Sequence, residues 1–259
     1  MANYNGKYFK GPVGPMIFKK GKRGQIITSR PSPGTVKQTE ETKKASDTFG
    51  MASTLSVEVK NSFERELMNL QDKTMYIRLV KQVSEVMYRC RNPETRQYHF
   101  DHDSFHGLAG FDFNINSPAV KWLGIMPHVN YTNGRLTLSF PDDQKSKKLK
   151  FIKGSSYCDM TVTVTVISLA DGLRTRYPLQ QEQRFDKETN PELNGKRFDF
   201  IVPDGCLCVV SVFLKFYSYK NLQNTKTLSP AFICDAIITD GINVPVKDHN
   251  WMDLRVKFR

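Results

Sequence analysis

Apolar residues change their spacing twice along this chain. From Phe9 to Thr28 short apolar stretches alternate with Gly, Pro and Lys. Val13 to Phe18, interrupted by Gly14 and Pro15, and Gln25 to Thr28 predict the two strands of a hairpin. Lys19-Lys20-Gly21-Lys22-Arg23-Gly24 is the expected turn, because its glycines accept positive φ. Pro12, Pro15, Pro31 and Pro33 confine such strands to edges, since proline donates no amide hydrogen. A two-stranded hairpin alone is marginal in water. Residues 1–34 therefore read as a basic extended arm that must dock on its own body or on a neighbour.

Between residues 35 and 106 the spacing is three and four. Ala45, Phe49, Ala52, Leu55 or Ser56, Val59 and Phe63 mark one buried helical stripe, with Thr35 or Thr39 as its cap. Tyr76, Leu79, Val80, Val83, Val86, Met87 and Cys90 mark a second, opened by Asp72 and ended by Arg91-Asn92-Pro93. The pair is expected to form a helical hairpin, succeeded by a connecting loop.

From about residue 107 the period falls to two. Phe111, Phe113 and Ile115 predict a first strand, sealing the helices to the sandwich. Leu136, Leu138 and Phe140 form another. Asp159 to Val166 places valines on one side and threonines on the other. Phe198 to Val202, Cys206 to Tyr219, Ala231 to Ile238 and Met252 to Phe258 complete the set. Turn signals at Asn133-Gly134, Asp171-Gly172, Asp204-Gly205 and Asp240-Gly241 separate them. The predicted class is α+β: arm, two-helix hairpin, and an antiparallel immunoglobulin-like β-sandwich over residues 107–259.

Composition narrows the picture. In 259 residues, 39% apolar and 25% charged content fits a folded chain rather than a disordered one. No run approaches the ~18 apolar residues of a membrane-spanning helix. The opening residues lack the apolar region of a secretory signal, Ala2 stands where myristoylation needs glycine, and cytoplasmic synthesis is expected. Five cysteines, an odd number, predict reduced thiols. Cys206 and Cys208 share one strand face and read as small core residues rather than a metal pair.

The net charge of +12 is concentrated at the start. Residues 1–50 hold ten Lys and Arg against three acids, and no acid precedes Glu40. Lys19, Lys20, Lys22, Arg23 and Arg30 are the candidate contacts for an acidic protein partner or for nucleic acid. Tyr4, Tyr8, Phe9 and Phe18 are the aromatic residues of this arm, a sparse set that argues against stacking on single strands.

Common catalytic signatures are missing: no phosphate-binding glycine loop, no nucleophile elbow and no His-Glu-x-x-His helix. His99, Asp101, His102, Asp103 and His106 put three histidines and two carboxylates into eight residues. These are metal-ligand types, but Gly107 and the non-helical His99-Phe100-Asp101 make a polar loop the preferred reading. No cofactor is expected. A metal-dependent enzyme at His99, His102 and His106 is the lesser alternative.

Three segments together resemble a family of uncharacterised Bacteroidetes proteins. They are Tyr8 to Gly14 with Ile17-Phe18-Lys19, Gly24 and Ser29-Arg30; the helical pair Phe49-Gly50; and Leu108 to Asn116, similar to the family's Gly-Phe-Glu-Phe-Asn stretch. The resemblance covers roughly residues 7–120; the prolines of the arm and Asp112 depart from it. It implies the arm, helical hairpin and sandwich order and a bacterial source, and no activity.

The expected function is that of a non-enzymatic structural or assembly protein, a homo-oligomer or a docking subunit using its arm, as in a phage-like particle or a cell-associated fibre. A nucleic-acid-associated protein is the alternative.

Overall fold

The computed structural model describes residues 2–22, 24–32, 39–142, 148–189, 192–242, 250–254 and 256–258. Arg23, Thr35, Pro33, Asp143 and Arg255 lie outside them. The chain divides into two compact units, Met1–Asp47 and Thr48–Arg259. Its fold is mixed α and β, with antiparallel sheets dominating.

The first unit holds a four-stranded antiparallel sheet in sequence order: β1 (Asn3–Tyr4), β2 (Phe9–Val13), β3 (Met16–Gly21) and β4 (Gly24–Ser29). This corrects the two-stranded hairpin. Gly14 and Pro15 do not interrupt a strand; they are the turn between β2 and β3, where Val13 pairs with Met16. Gly14 supplies the positive φ (+52°) that a two-residue hairpin turn needs. The second turn is shorter than expected, since β3 runs on through Lys19 and Lys20 to Gly21.

Helix α1 (Glu40–Ser62) crosses the boundary between the units. Thr39 caps it, its Oγ1 accepting from the Thr42 amide at 3.1 Å. After a one-turn α2 (Glu64–Leu67), helix α3 spans Met75–Cys90. Asp72 lies three residues before Met75, the first residue of α3. Burial would raise its pKa, but hydrogen bonds from Thr74, Arg78 and the Ile115 amide outweigh burial and hold the carboxyl below its usual range. Ala52, Leu55 and Val59 of α1 and Leu79, Val83 and Met87 of α3 are fully buried as the spacing requires. Phe49 is not: it is 55% exposed, and Thr48 takes its place on the buried stripe.

The second unit continues with a short α4 (Val120–Leu123), β5 (His128–Thr132), β6 (Arg135–Ser139), β7 (Tyr157–Ser168), β8 (Leu173–Thr175), β9 (Leu179–Asp186), β10 (Arg197–Ile201), β11 (Leu207–Ser218), β12 (Asn221–Leu222), β13 (Ala231–Ile238) and β14 (Trp251–Asp253). β10, β6 and β5 form one sheet; β7 and β11, paired over eleven residues, centre the other, with β9 and β8 along the far edge of β7 and β13 and β12 along that of β11.

The central strands are buried on both faces. Val162, Val164 and Val166 meet Cys208, Val210 and Val212, and the small sheet covers them with Leu136, Leu138, Phe198 and Phe200. On the opposite face Ile167, Val209, Phe213 and Ile233 pack under α1 and α3, where Phe63, Phe113 and Phe213 meet at 5.6–5.8 Å. Because paired residues share a face, Thr161, Thr163 and Thr165 lie on this helix-covered side, opposite Phe213, Ser211 and Val209. The threonines are as buried as the valines. The helices and both sheets therefore form one unit around two cores.

The expected first strand is a brief pairing along β13: Gly110 and Phe113 donate to Ile233 and Ala231, and Ile233 donates to Phe111. Phe111 and Phe113 are buried, but Ile115 is half exposed. Asn114 diverts the chain, its side-chain amide donating to the carbonyls of Leu70 and Lys226.

Candidate macromolecule-docking surface

The register of the first sheet sorts its side chains by face. Phe18 pairs with Gly11 and Ile27, Met16 with Val13 and Ser29, and Tyr4 with Phe9. Paired positions and those two apart point the same way. Tyr4, Phe9, Val13, Met16, Phe18 and Ile27 thus occupy one face. Tyr4 is 60% exposed, Ile27 55% and Phe9 46%. Ring centroids of Tyr4 and Phe9 lie 4.8 Å apart, and those of Phe9 and Phe18 5.7 Å. Gly11, opposite Phe18, presents no side chain, so Phe9 and Phe18 can lean together.

Gln25 shares this face and supports it. Its amide accepts from the Phe9 N–H at 2.8 Å and donates to the Phe9 carbonyl at 2.9 Å. It reaches across β3 to β2 and holds Phe9 beyond the last β2–β3 pair, Gly11 with Phe18.

The basic candidates separate. Alternation sends Lys20 to the aromatic face and Lys19 to the other, beside Ile17 and Ile26. Lys7 and Lys20 each place Nζ 5.7 Å from the centroid of the Tyr8 ring. Lys22 is exposed in the turn beyond β3. Arg30 sits at the other end of β4, about 20 Å of strand away, with its amide donating to Pro15. Lys19, Lys20 and Lys22 are therefore neighbours, Arg30 stands apart, and Arg23 lies outside the described residues. What sequence reading missed is the aromatic row. Its signal was the two-residue period of Phe9, Gly11 and Val13 and of Met16, Phe18 and Lys20, legible once Gly14-Pro15 is read as a turn.

The histidine loop obeys another logic. His102 is within hydrogen-bonding distance of the Ile238 carbonyl (2.7 Å from Nδ1), and the Ile238 amide donates back to the His102 carbonyl at 3.0 Å. His106 Nδ1 lies 3.0 Å from Asp235 Oδ1. The His99 ring lies 3.4 Å from Asp101 Oδ1, and the His99 amide donates to the Cys90 carbonyl at 2.9 Å. Two of the three thus tie the loop to β13 separately. Among the described residues no group of three His, Cys, Asp or Glu side chains is placed to hold a metal ion.

Cys206 and Cys208 are buried in the core between the sheets. Burial first, then the charges of Asp171 and Asp204, pushes the Cys206 thiol up to about 12; burial raises Cys208 as well. Both thiols stay protonated and act as small apolar side chains. Asp112, also raised by burial, accepts from the Ala119 amide at 2.9 Å and fixes the entry to α4.

No helix of the described residues is long and apolar enough to cross a membrane. No protein-family model, curated protein or solved structure matches the chain.

Proposed function

We propose that this chain is a non-enzymatic assembly protein whose N-terminal sheet docks on an acidic macromolecule. The observation that carries this reading is an exposed apolar face in a segment with no acid before Glu40 and with Lys19, Lys20 and Lys22 clustered at one end. Such a face attracts a polyanion over distance and offers it apolar contact on arrival. The second unit serves as the body, which we read as an immunoglobulin-like sandwich: β5, β6 and β10 against β9, β7, β11 and β13 divide seven strands three and four. In a phage-like particle or a fibre, the sheet would fix this body to its neighbour.

The test is retention of the full chain on immobilised heparin. Wild type is expected to be held at low salt and to elute at lower salt when Lys19, Lys20 and Lys22 are all changed to Gln. Wild type that passes through at low salt would sink the reading.

Self-association has its own support in the outer edge of β4, which among the described residues pairs only with β3. The Arg30–Pro15 hydrogen bond marks a bonded pair beside Met16 and Ser29. Alternation then leaves the amides of Gln25, Ile27 and Ser29 directed away from β3. An antiparallel β4 from a second copy could pair there. Light scattering should show a mass rising above 29.7 kDa with concentration, and Ile27→Pro should abolish the rise. A constant monomer mass rules this arrangement out.

A further inference from the structure

We infer that the occupant of the N-terminal sheet is single-stranded nucleic acid, its bases stacked on Tyr4, Phe9 and Phe18. This deepens the docking proposal and rests on it. Three observations converge. The rings lie on three adjacent strands, on one face, at successive centroid separations of 4.8 and 5.7 Å. A sheet face carrying exposed aromatic side chains is a stacking platform for two or three unpaired bases, because every base offers a π-face. Lys20 stands on that same face, with Lys22 in the turn beyond. Cations at the border of an aromatic row fit a backbone whose bases have turned inward. The absence of any acid among residues 1–39 leaves nothing there to repel phosphate.

The alternatives fit less well. A duplex keeps its bases stacked on one another and offers the rings only its grooves and backbone. A second copy laid face to face on the aromatic side would set cation against cation, whatever pairs along the β4 edge. An acidic protein would satisfy the charge but gives no reason for a row of aromatic rings rather than aliphatic side chains. Aromatic residues are sparse in this segment, yet three of the four fall on one face, and a platform needs no more.

The experiment is fluorescence anisotropy of the full chain with a labelled 15-nucleotide oligothymidylate, beside a duplex of equal length, at two salt concentrations. We expect the single strand to bind at least about tenfold more tightly than the duplex. Phe9→Leu and Phe18→Leu keep an apolar strand residue and remove the ring; each should weaken single-strand binding by about 5- to 150-fold, the range for loss of one stacked base, with heparin retention unchanged. Lys20→Gln should lower the slope of log affinity against log salt by about 0.7. Equal affinity for single strand and duplex, or leucine variants that bind the oligonucleotide like wild type, would overturn the stacking platform while leaving polyanion docking intact. Failure to bind oligonucleotide and heparin alike would remove both. Circular dichroism of each variant verifies that the sheet persists.

Discussion

Replacing Glu66 by Ala is expected to destabilise the protein by about 3–5 kcal/mol, the cost of leaving one member of a buried ion pair alone. Glu66 lies in α2 and Lys215 in the last third of β11, and Nζ of the lysine meets Oε2 of the glutamate. Their side chains are 3% and 17% exposed. Lys215 is the first charged residue after Cys206 in this long apolar run, and the helical layer covers it. Removing the carboxylate strands an ammonium in a poorly solvated position. Urea denaturation should show a lower midpoint at unchanged slope. The double change Glu66→Leu with Lys215→Met should recover most of the loss, because two apolar side chains of similar size need no mutual charge. A Glu66→Ala shift under about 1 kcal/mol would mean that the pair is solvated and carries little.

Gly172→Ala should be comparably damaging, by about 3–5 kcal/mol, for a backbone reason. Gly172 has φ of +67° at the turn between β7 and β8. A Cβ there would stand 2.1 Å from the Val256 carbonyl oxygen and 2.9 Å from its carbon. No rotamer relieves a clash with main chain. The segment after β14 would have to lift, breaking the hydrogen bond from the Leu254 amide to the Gly172 carbonyl and loosening the one from Phe258 to Leu169. Leu254 and Phe258, which close the helix-side core, would then meet water at roughly 1.5–3 kcal/mol each. Hydrogen exchange should report it directly: the Leu254 and Phe258 amides lose protection ahead of β7 and β11. Unaltered protection of those amides, with stability within about 0.5 kcal/mol of wild type, would contradict this account.

Both sites also show where sequence reading stops. Periodicity found α1, α3, β7, β11 and β13, because each presents a long uninterrupted pattern to a core. It named the Asp171-Gly172 turn but not the strand end that crowds it, since close approach is a tertiary fact. Likewise Thr161, Thr163 and Thr165 have the period of a solvent-facing row and are buried only because α1 and α3 lie above them. Phe49 and Ile115 went the other way. Each continued an apolar pattern past the point where the chain leaves its neighbour, α1 before its buried stretch and the Phe111–Phe113 pairing after Asn114.

The proposed docking surface was half legible. Charge was plain from composition, and Lys19, Lys20 and Lys22 do lie together. The aromatic face was hidden because Val13 to Phe18 reads in sequence as one strand with an interruption, whereas Gly14-Pro15 is a turn between two strands. Adding β1 and β2 converts a marginal ribbon into a sheet whose inner strands are paired on both sides. In the proposed reading, the case for a partner therefore rests on the exposed rings of Tyr4 and Phe9 and the outer edge of β4 rather than on an unsatisfied backbone throughout.

Every pairing in the first sheet joins strands adjacent in sequence, whereas β7 meets β11 only after β8, β9 and β10 have been made. Local hairpins close in about 1–10 μs, while nonlocal β architectures take milliseconds to seconds. During synthesis, then, the N-terminal segment matures first, and a partner can engage a nascent chain whose remaining strands have yet to emerge from the ribosome.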